Sequence, residues 1–570
     1  MSKFYFNEEQ DSYDAIVVGT GITGGWAAKE LCEKGLKTLI LERGPMVEHI
    51  KDYKTANLDD WDFPHGKQIS LAEKAKRPKQ SRTNKGRSAD SYKWFVNDLK
   101  HPYNETKPFN WMRGYHVGGR SISWGRQSYR WNKLDFEANK LDGHGVDWPV
   151  RYKDIAPWYD KVETYIGVSG EKLGLSQLPD GQFLPKMDLN CVEQHFRDEV
   201  SKNFDGRVVT SGRVAHITGD KPFEGRTKCQ FRNRCARGCP FGGYFSSNSS
   251  TLPAAERTGN LTLRPDSIVA EVIYNPETKK ASGVKVIDSN TKEEIVFNAK
   301  VIFLCASAIA SASILMQSKS DRFPNGMGND SDQLGRNIMD HHLGAGANGK
   351  FDGFSDKYYK GRRPNGIYIP RFKNLNETSK SKNYIRGFGY QGGASRKNWK
   401  ESIAELGVGA DLKEAILKPG GWTMGVGGFG EILPYADNRM TLDYNQLDGW
   451  GLPTVTFDAE IRENELNMRN DMAASAAEML TKAGFRDVKM NNSKYNIGHG
   501  IHEMGTARMG RNPKTSVLNG NNQVHAVPNV YVTDGAFMAS ASCVNPSLTY
   551  MAFTARAANH AVQELKKGNI

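Results

Sequence analysis

Short apolar runs alternate with a helical pattern at the start of the chain. Residues 13–18 are mostly apolar and predict a buried strand, and residues 26–34 have helical character. A second apolar run at 37–41 predicts another strand. Strand, helix and strand in this order predict a β-α-β unit, in which the two strands are parallel and the helix crosses between them.

The loop between the first strand and the helix has the spacing Gly-x-Gly-x-x-Gly, at Gly19, Gly21 and Gly24. Glycines at these points let the backbone turn tightly and approach a pyrophosphate, which the positive end of the helix attracts. Glu42 follows the second strand and can accept hydrogen bonds from a ribose diol. Because the strands, the glycine turn, the helix and the acid all agree, the sequence predicts a dinucleotide site.

Further apolar patterns extend this fold through the chain. Residues 301–304 predict a buried strand that leads into a helix of small residues at 306–317, and 529–533 predict a last strand. The final helix is predicted from Pro546 onward. We expect the N-terminal unit and the last strand and helix to share one sheet, so that the middle segments insert a second domain.

The composition of the 570 residues is globular, with 38% hydrophobic residues and a formal net charge of +13. No charge-free stretch is apolar enough to span a membrane, and no apolar signal-peptide core is visible. Part of the positive charge lies in residues 74–87, which are either a docking surface for an acidic partner or anionic lipid, or a solvated loop. No nucleic-acid motif accompanies the charge, so we expect no nucleic-acid partner.

Three of the seven cysteines lie close together, at Cys229, Cys235 and Cys239. Three thiolates in a short loop suit a soft metal centre, and a proline after the last cysteine recurs in bacterial ferredoxins. A structural zinc with a fourth ligand, and inert buried thiols, are the alternatives. Four arginines of this loop are expected to stabilise negative charge on the thiolates: Arg226, Arg232, Arg234 and Arg237.

Five segments together resemble the glucose–methanol–choline (GMC) oxidoreductases, flavoproteins that oxidise alcohols and sugars. They follow the family's order through nearly the whole chain: the glycine turn with Glu42, residues 118–125, 147–149 and 502–506, and residues 534–535 with 545–549. The family's second signature usually has a Ser-Pro pair, whereas here Ser311 is followed by Ala312. We expect this departure to shift the start of the helix slightly and to leave function intact.

The resemblance implies an α/β fold with a Rossmann-like FAD-binding domain and an inserted α+β substrate domain. The FAD-binding domain would comprise 11–50, 109–175, 226–330 and 498–567, and the substrate domain and surface insertions 51–108, 176–225 and 331–497. The implied FAD contacts are Gly19, Gly21 and Gly24 at the pyrophosphate, Glu42 at the ribose, Gly118, Gly119 and Ser121 beside the flavin, and Asp534, Gly535, Pro546 and Thr549 at the ribityl chain and pyrimidine edge.

Some members of the family bond the flavin covalently to a histidine in a Ser-Thr-His-Trp stretch. The matching residues here, 121–124, read Ser-Ile-Ser-Trp, with Ser123 in the place of that histidine. A serine cannot form that bond, so the resemblance implies noncovalent FAD.

The resemblance also implies a catalytic pair, His502 and Asn545. Alcohol oxidation needs a base for the hydroxyl proton, and a neutral imidazole suits this task because its pKa lies near working pH. His502 would be that base, and Asn545 would hydrogen-bond the substrate oxygen. His499 is a less favoured base. We interpret the pair His341-His342 as structural, because no further metal ligand of fitting spacing stands near it in sequence.

The spacing of the three cysteines resembles that in bacterial FAD sugar dehydrogenases, whose catalytic subunits carry a 3Fe-4S cluster. This resemblance implies one-electron transfer to a cytochrome or other acceptor, a small accessory subunit, and co-export to the periplasm in place of a cytoplasmic location. A glucoside 3-dehydrogenase-like activity is favoured by family likeness. An oxygen-dependent pyranose oxidase, and a noncatalytic flavoprotein with structural zinc, are the rival hypotheses.

Overall fold

The computed structural model describes residues 12–83, 86, 88–220, 223–357, 365–396, 408–417 and 420–570. Its helices begin and end as follows: Ile22–Glu33, Leu71–Ala75, Lys133–Asp142, Tyr152–Ile166, Cys191–Asn203, Thr251–Glu256, Ala308–Gln317, Gly409–Leu417, Glu463–Lys482 and Ser547–Lys566. No helix in these described ranges is long and apolar enough to cross a membrane.

The first sheet is centred on the N-terminal strand Ser12–Val18. This strand pairs in parallel with Thr38–Leu41 on one side and with Glu294–Leu304 on the other. Across the sheet, the order of strands is Gln523–Val524, Val527–Val532, Glu294–Leu304, Ser12–Val18, Thr38–Leu41 and Leu261–Arg264, and the antiparallel strands Ser267–Asn275 and Lys280–Asp288 complete it. The N-terminal unit and the last strand therefore share one sheet, as the sequence predicts.

The glycine turn begins the helix Ile22–Glu33, which starts four residues earlier than its apolar pattern predicts. Gly24 and Gly25 lie inside its first turn, and Trp26 is fully buried. The last helix starts at Ser547, next to the predicted Pro546, and packs against the helices Ile22–Glu33 and Tyr152–Ile166. Both ends of the chain therefore contribute to the same α/β unit.

The second sheet is antiparallel and is built from middle segments. Its strands are Arg486–Asn492, Ala345–Phe351, Trp422–Glu431, Phe388–Arg396, Ile367–Ile369 and Thr210–Ser211, and His341–His342 also pairs with Trp422–Glu431. The helix Glu463–Lys482 covers one face of this sheet with buried Met468, Met472 and Met479. A third, small sheet joins Arg439–Leu447 and Pro453–Asp458 to Asn104–Glu105.

Two aromatic residues of the middle segments serve packing. Trp422 is 2% exposed and belongs to the core between the second sheet and its helix. Tyr435 donates a hydrogen bond to the carboxylate of Glu465. Neither side chain lines the large cavity described below, so both fit the structural interpretation over contact with a sugar ring.

Candidate active site

One cavity of about 480 Å³ opens at the carboxyl ends of the parallel strands. Most of the residues that the sequence assigns to FAD and catalysis line it: Gly19, Gly21, Glu42, Gly119, Ser121, Ser123, His502, Asp534, Gly535 and Asn545. Segments far apart in sequence converge here because parallel strands end at the same edge of a sheet. The site is therefore a single chamber.

Each of the three glycines of the turn is needed for a different structural reason. Gly19 has φ of +97°, a conformation that favours glycine. A Cβ on Gly24 would lie 1.7 Å from the carbonyl oxygen of Gly19, so the helix could not stay against the turn. A Cβ on Gly21 would meet nothing within 4 Å, because this backbone faces the cavity. Gly21 thus leaves a space that an approaching pyrophosphate fits.

Glu42 is buried beside the turn and accepts three hydrogen bonds. Its donors are the N–H and the hydroxyl of Thr20 and the N–H of Gly44. Burial raises the pKa of Glu42 to about 7, although these donors act in the opposite direction. The acid is thus fixed beside the turn, as a ribose contact requires.

Three of the implied FAD residues do not line the chamber but lie next to residues that do. Gly118 donates its N–H to the Thr20 hydroxyl at 2.9 Å and has φ of +90°. Thr549 is buried, and its hydroxyl shares a 2.7 Å hydrogen bond with Tyr159. Pro546 precedes the last helix, whose first residue, Ser547, lines the cavity. The positive end of this helix therefore faces the chamber.

Asp534 follows the last strand of the first sheet and is held by Ser311. The Ser311 hydroxyl donates to the Asp534 carboxylate, as does the N–H of Ala536 at 3.0 Å. Burial raises the pKa of Asp534 to about 6. The helix that carries Ser311 begins at Ala308, two residues after its predicted start.

His502 and Asn545 both line the cavity, whereas His499 does not. Asn545 is 7% exposed, and its Oδ1 accepts a 2.6 Å hydrogen bond from the side chain of Gln391. This contact leaves the Asn545 amide Nδ2 to donate toward the cavity. Gln391 lies on the second sheet, and no sequence pattern singled it out.

His341 has ligand-type groups beside it in space that its spacing in sequence did not indicate. Ligand atoms of Asp340, His341 and His502 all lie within 4.8 Å of one another, and no other such trio of His, Cys or acidic groups occurs in the part of the chain described. Nδ1 of His341 lies 2.9 Å from Nδ1 of His502. His341 therefore contacts the predicted base directly, across 161 residues of sequence.

An ion pair joins the His502 loop to the segment beside the flavin residues. Arg120 donates to the Glu503 carboxylate at 2.9 Å, and Glu503 is nearly buried. Both side chains line the cavity. The pair holds residues 118–125 against the loop that carries His502.

A second, smaller cavity is lined by Cys229, Cys235 and Cys239 together with His216 and Tyr244. None of the three cysteines is in a disulfide. Burial raises the pKa of Cys229 to about 11 and also raises that of Cys239, so without a metal these thiols stay protonated at neutral pH.

The sulfurs of the three thiols do not form a group within 4.8 Å of one another, whereas thiolates on one zinc lie about 3.8 Å apart, from Zn–S bonds of about 2.3 Å. The three partly buried cysteines around one cavity offer the thiol ligands that a soft metal centre uses, and metal binding would release their protons.

Two of the four loop arginines, Arg226 and Arg232, interact electrostatically with Cys239, as expected, and the charge of Arg232 favours its thiolate. The hydrogen bonds of the four side chains go to other groups. Arg232 donates to the carbonyl of Ala56, and Arg234 forms an ion pair with Asp59. Arg237 contacts Asp60 and Asp90. Arg226 donates to the carbonyls of Gly242 and Ile166. These side chains mainly attach the cysteine loop to residues 56–60 and 90, because carboxylates and carbonyls there accept their hydrogen bonds.

A hydrogen bond between Arg126 and His216 connects the two cavities. Arg126 lines the large cavity, and its Nε donates to Nε2 of His216 at 3.2 Å. His216 lines the cysteine cavity and is 1% exposed. Arg126 also lies over the ring of Tyr244, whose hydroxyl contacts the carbonyl of Cys235 at 3.1 Å. The two cavities thus share a wall of a few side chains.

We predict opposite consequences for alanine at two glycines of the turn. Gly24→Ala should lower the melting temperature, because its methyl group collides with the Gly19 carbonyl. Gly21→Ala should fold normally but bind FAD at least tenfold more weakly, because its methyl group occupies the open approach. Thermal unfolding without FAD and flavin titration would check both. Equal FAD affinity for Gly21→Ala and the unchanged protein would contradict the assigned pyrophosphate position.

The sequence pattern of the GMC oxidoreductases matches residues 13–343 and 434–554. The first match alone spans more than half of the chain. Together with the glycine turn, Glu42 and the shape of the chamber, it supports FAD as the cofactor.

Known proteins of similar sequence include dehydrogenases and oxidases. The chain is 26% identical to 2-methyl-1,2-propanediol dehydrogenase of Mycolicibacterium austroafricanum, over 96% of this chain and 95% of that protein. It is 25% identical to the fructose dehydrogenase large subunit of Gluconobacter japonicus, over 99% and 100%. It is also 25% identical to paromamine 6'-oxidase of Streptomyces fradiae, over 97% and 92%.

A solved structure of similar fold is that of a formate oxidase variant from Aspergillus oryzae. It superposes with a TM-score of 0.60 at 15% identity, covering 99% of this chain and all of that one. Fold, chamber and sequence pattern agree. The chain belongs to the GMC oxidoreductases, FAD-dependent enzymes that act on the CH–OH groups of alcohols and sugars.

Proposed function

We propose that this chain is the catalytic subunit of an FAD-dependent dehydrogenase that oxidises a secondary or anomeric hydroxyl of a sugar or glycoside. A glucoside 3-dehydrogenase-like activity is the favoured form. Electrons would leave through a 3Fe-4S cluster, held by Cys229, Cys235 and Cys239, to a cytochrome or another acceptor. The observation that carries this proposal is the cysteine cavity, which shares a wall with the flavin chamber through Arg126 and His216.

The chain's own residues would handle the substrate's proton and position. FAD, when bound, supplies an acceptor for hydride at its N5. His502 would take the hydroxyl proton, and the amide of Asn545 would donate a hydrogen bond to the substrate oxygen. Gln391 would keep the Asn545 amide oriented, because it already occupies the oxygen of that group.

The partner proposal rests on the cysteine cavity and on one relative, which is described as a large subunit and so belongs to an assembly. A small accessory subunit, a cytochrome acceptor and co-export to the periplasm would fit such an assembly. The basic stretch 74–87 is a candidate contact. Within its described part, Arg82 pairs with Glu105, and both Lys76 and Arg77 pair with Glu73, so much of its charge is already balanced.

An oxygen-dependent sugar oxidase is the second candidate, since a relative of similar identity is an oxidase. The two functions differ in where electrons go after substrate oxidation. Stoichiometric peroxide in air, with no stimulation by a cytochrome or artificial acceptor, would identify an oxidase. Turnover that requires such an acceptor would support the dehydrogenase.

We predict that acid or heat denaturation releases all of the FAD. Ser123 occupies the position at which some members of the family have a histidine bonded to the flavin, and a serine hydroxyl does not form that bond. Denatured protein should be colourless after precipitation, and the flavin should appear in the supernatant. Flavin that stays attached to the denatured chain would overturn the noncovalent assignment.

We predict that His502→Ala lowers the rate of flavin reduction by substrate by about 10²- to 10⁴-fold, the usual effect of removing a positioned base. Asn545→Ala should lower it by about 10- to 100-fold, because one hydrogen bond to a developing charge is lost. Anaerobic stopped-flow absorbance would measure both rates, with FAD content checked first.

His499→Ala is the matched control for these variants, because His499 belongs to the same loop but does not line the chamber. It should reduce the flavin at nearly the unchanged rate. If His499→Ala loses activity and His502→Ala retains it, the base has been assigned to the wrong histidine.

We predict that Cys235→Ser separates two half-reactions. The variant should lose iron and its EPR signal, whereas substrate should still reduce the flavin, since other segments build the chamber. Electron transfer to a cytochrome should fall to background. Cys191→Ser is the control, because Cys191 starts a helix packed against the second sheet's core and lies outside the cysteine cavity. If the unchanged protein contains zinc and no iron, the proposed electron transfer through a cluster is wrong.

A further inference from the structure

The contact between His341 and His502 requires one ring to donate and the other to accept. Their Nδ1 atoms are 2.9 Å apart, and the rings are nearly perpendicular, at 87°. A neutral imidazole carries one N–H and one unprotonated nitrogen. The direction of this hydrogen bond therefore decides which nitrogen of His502 carries its proton.

The buried state of His341 favours the accepting role at Nδ1. The ring is fully buried, and burial lowers the pKa of His341 to about 4, so it is neutral at working pH. Nε2 of His341 has no hydrogen-bond partner in the described part of the chain, so the contact with His502 is the one that fixes its ring. Once His502 has taken a proton, both of its ring nitrogens carry N–H. A neutral His341 must then present an unprotonated Nδ1 at the 2.9 Å contact.

A single carboxylate sets the separation of the two histidines. Oδ1 of Asp340 accepts the backbone N–H of His341 at 2.8 Å and that of His502 at 3.0 Å. Oδ2 accepts the Tyr495 hydroxyl and the N–H groups of Gly498 and Gly500 at 2.8–2.9 Å. With five donors on its two oxygens, Asp340 binds the loop of His502 to the strand of His341. A metal ion would have to displace these donors, so the trio is better suited to hydrogen bonding.

We propose that His341 is a positioning residue, which accepts the Nδ1 proton of His502 and so keeps Nε2 of His502 unprotonated toward the substrate. This inference rests on the proposed role of His502 as the base. The opposite tautomer would carry its proton on Nε2 and could not accept one from an alcohol. The contact therefore selects the reactive form of the base.

The charged groups around His502 are compatible with this arrangement. Asp340 lies within 4.8 Å of both rings, and Glu503 is paired with Arg120 across the chamber wall. The Tyr550 hydroxyl contacts the backbone carbonyl of Glu503, and burial raises the pKa of Tyr550, so it stays neutral. After His502 takes the proton, its Nδ1–H still has the His341 acceptor, which stabilises the imidazolium. Losing that acceptor should lower the apparent pKa of the base.

Two amide substitutions separate this role from general packing. In His341→Asn the side-chain oxygen can reach the position of Nδ1 and still accept from His502, whereas in His341→Gln the amide reaches the position of Nε2 and leaves no acceptor at Nδ1. We expect His341→Gln to reduce the flavin about 10- to 100-fold more slowly, with the ascending limb of its pH profile at lower pH. We expect His341→Asn to recover most of the rate and the original profile.

The measurements are anaerobic flavin reduction from pH 5 to 9 on FAD-loaded protein, with FAD content and melting temperature recorded for each variant. His342→Asn is the control for loss of a buried imidazole, because His342 is equally buried but its ring packs against Tyr495, whereas His341 contacts His502. If a variant does not fold, ¹⁵N shifts of the unchanged protein provide the second test. They should show Nε2 of His502, assigned by its loss in His502→Gln, as unprotonated.

Three outcomes would overturn the inference. These are equal rates for the Asn and Gln variants, an unshifted pH profile for His341→Gln, or a protonated Nε2 in His502. Failure of the proposed function looks different: His502→Ala would then reduce flavin normally. If His502→Ala reduces the flavin slowly and His341→Gln reduces it at the normal rate, His502 remains the base and only the positioning role of His341 is rejected.

Discussion

The parallel pairing of one central strand organises the whole site. Ser12–Val18 lies between Thr38–Leu41 and Glu294–Leu304, and all three run in the same direction. Parallel strands end together, so the glycine turn, Glu42 and the start of the helix Ala308–Gln317 meet at one edge.

The sequence predicts best what is local. The strand, glycine turn and helix follow each other directly, and each residue's role there depends on its immediate neighbours. His502 and Asn545 were recognisable because each lies in a short family motif. Gln391 and His341 act through contacts with residues 154 and 161 positions away, which leave no periodic signal in the chain. Such pairs become visible only when the sheets are assembled.

The arginines of the cysteine loop have two kinds of partner. Arg226 and Arg232 interact electrostatically with Cys239, which their closeness in sequence suggests. The hydrogen bonds of the guanidinium groups go to Asp59, Asp60 and Asp90 and to backbone carbonyls, which the sequence does not indicate. The planar fork of arginine matches those acceptors. Partial burial keeps the thiols of Cys229 and Cys239 protonated until a metal binds.

The walls of the chamber come from two separate supports. The first sheet and its loops supply the glycine turn, Asp534, His502 and Asn545, whereas Gln391 and Phe429 project from strands of the second sheet. Mutations on the second sheet can therefore reshape the chamber without disturbing the glycine turn, provided that Gln391 and His341 are kept, because these two contact Asn545 and His502. An enzyme built this way can acquire new substrates in small steps while its redox chemistry persists. For protein engineers, the strands Phe388–Arg396 and Trp422–Glu431 are where a library should be placed, with Gln391 left unchanged.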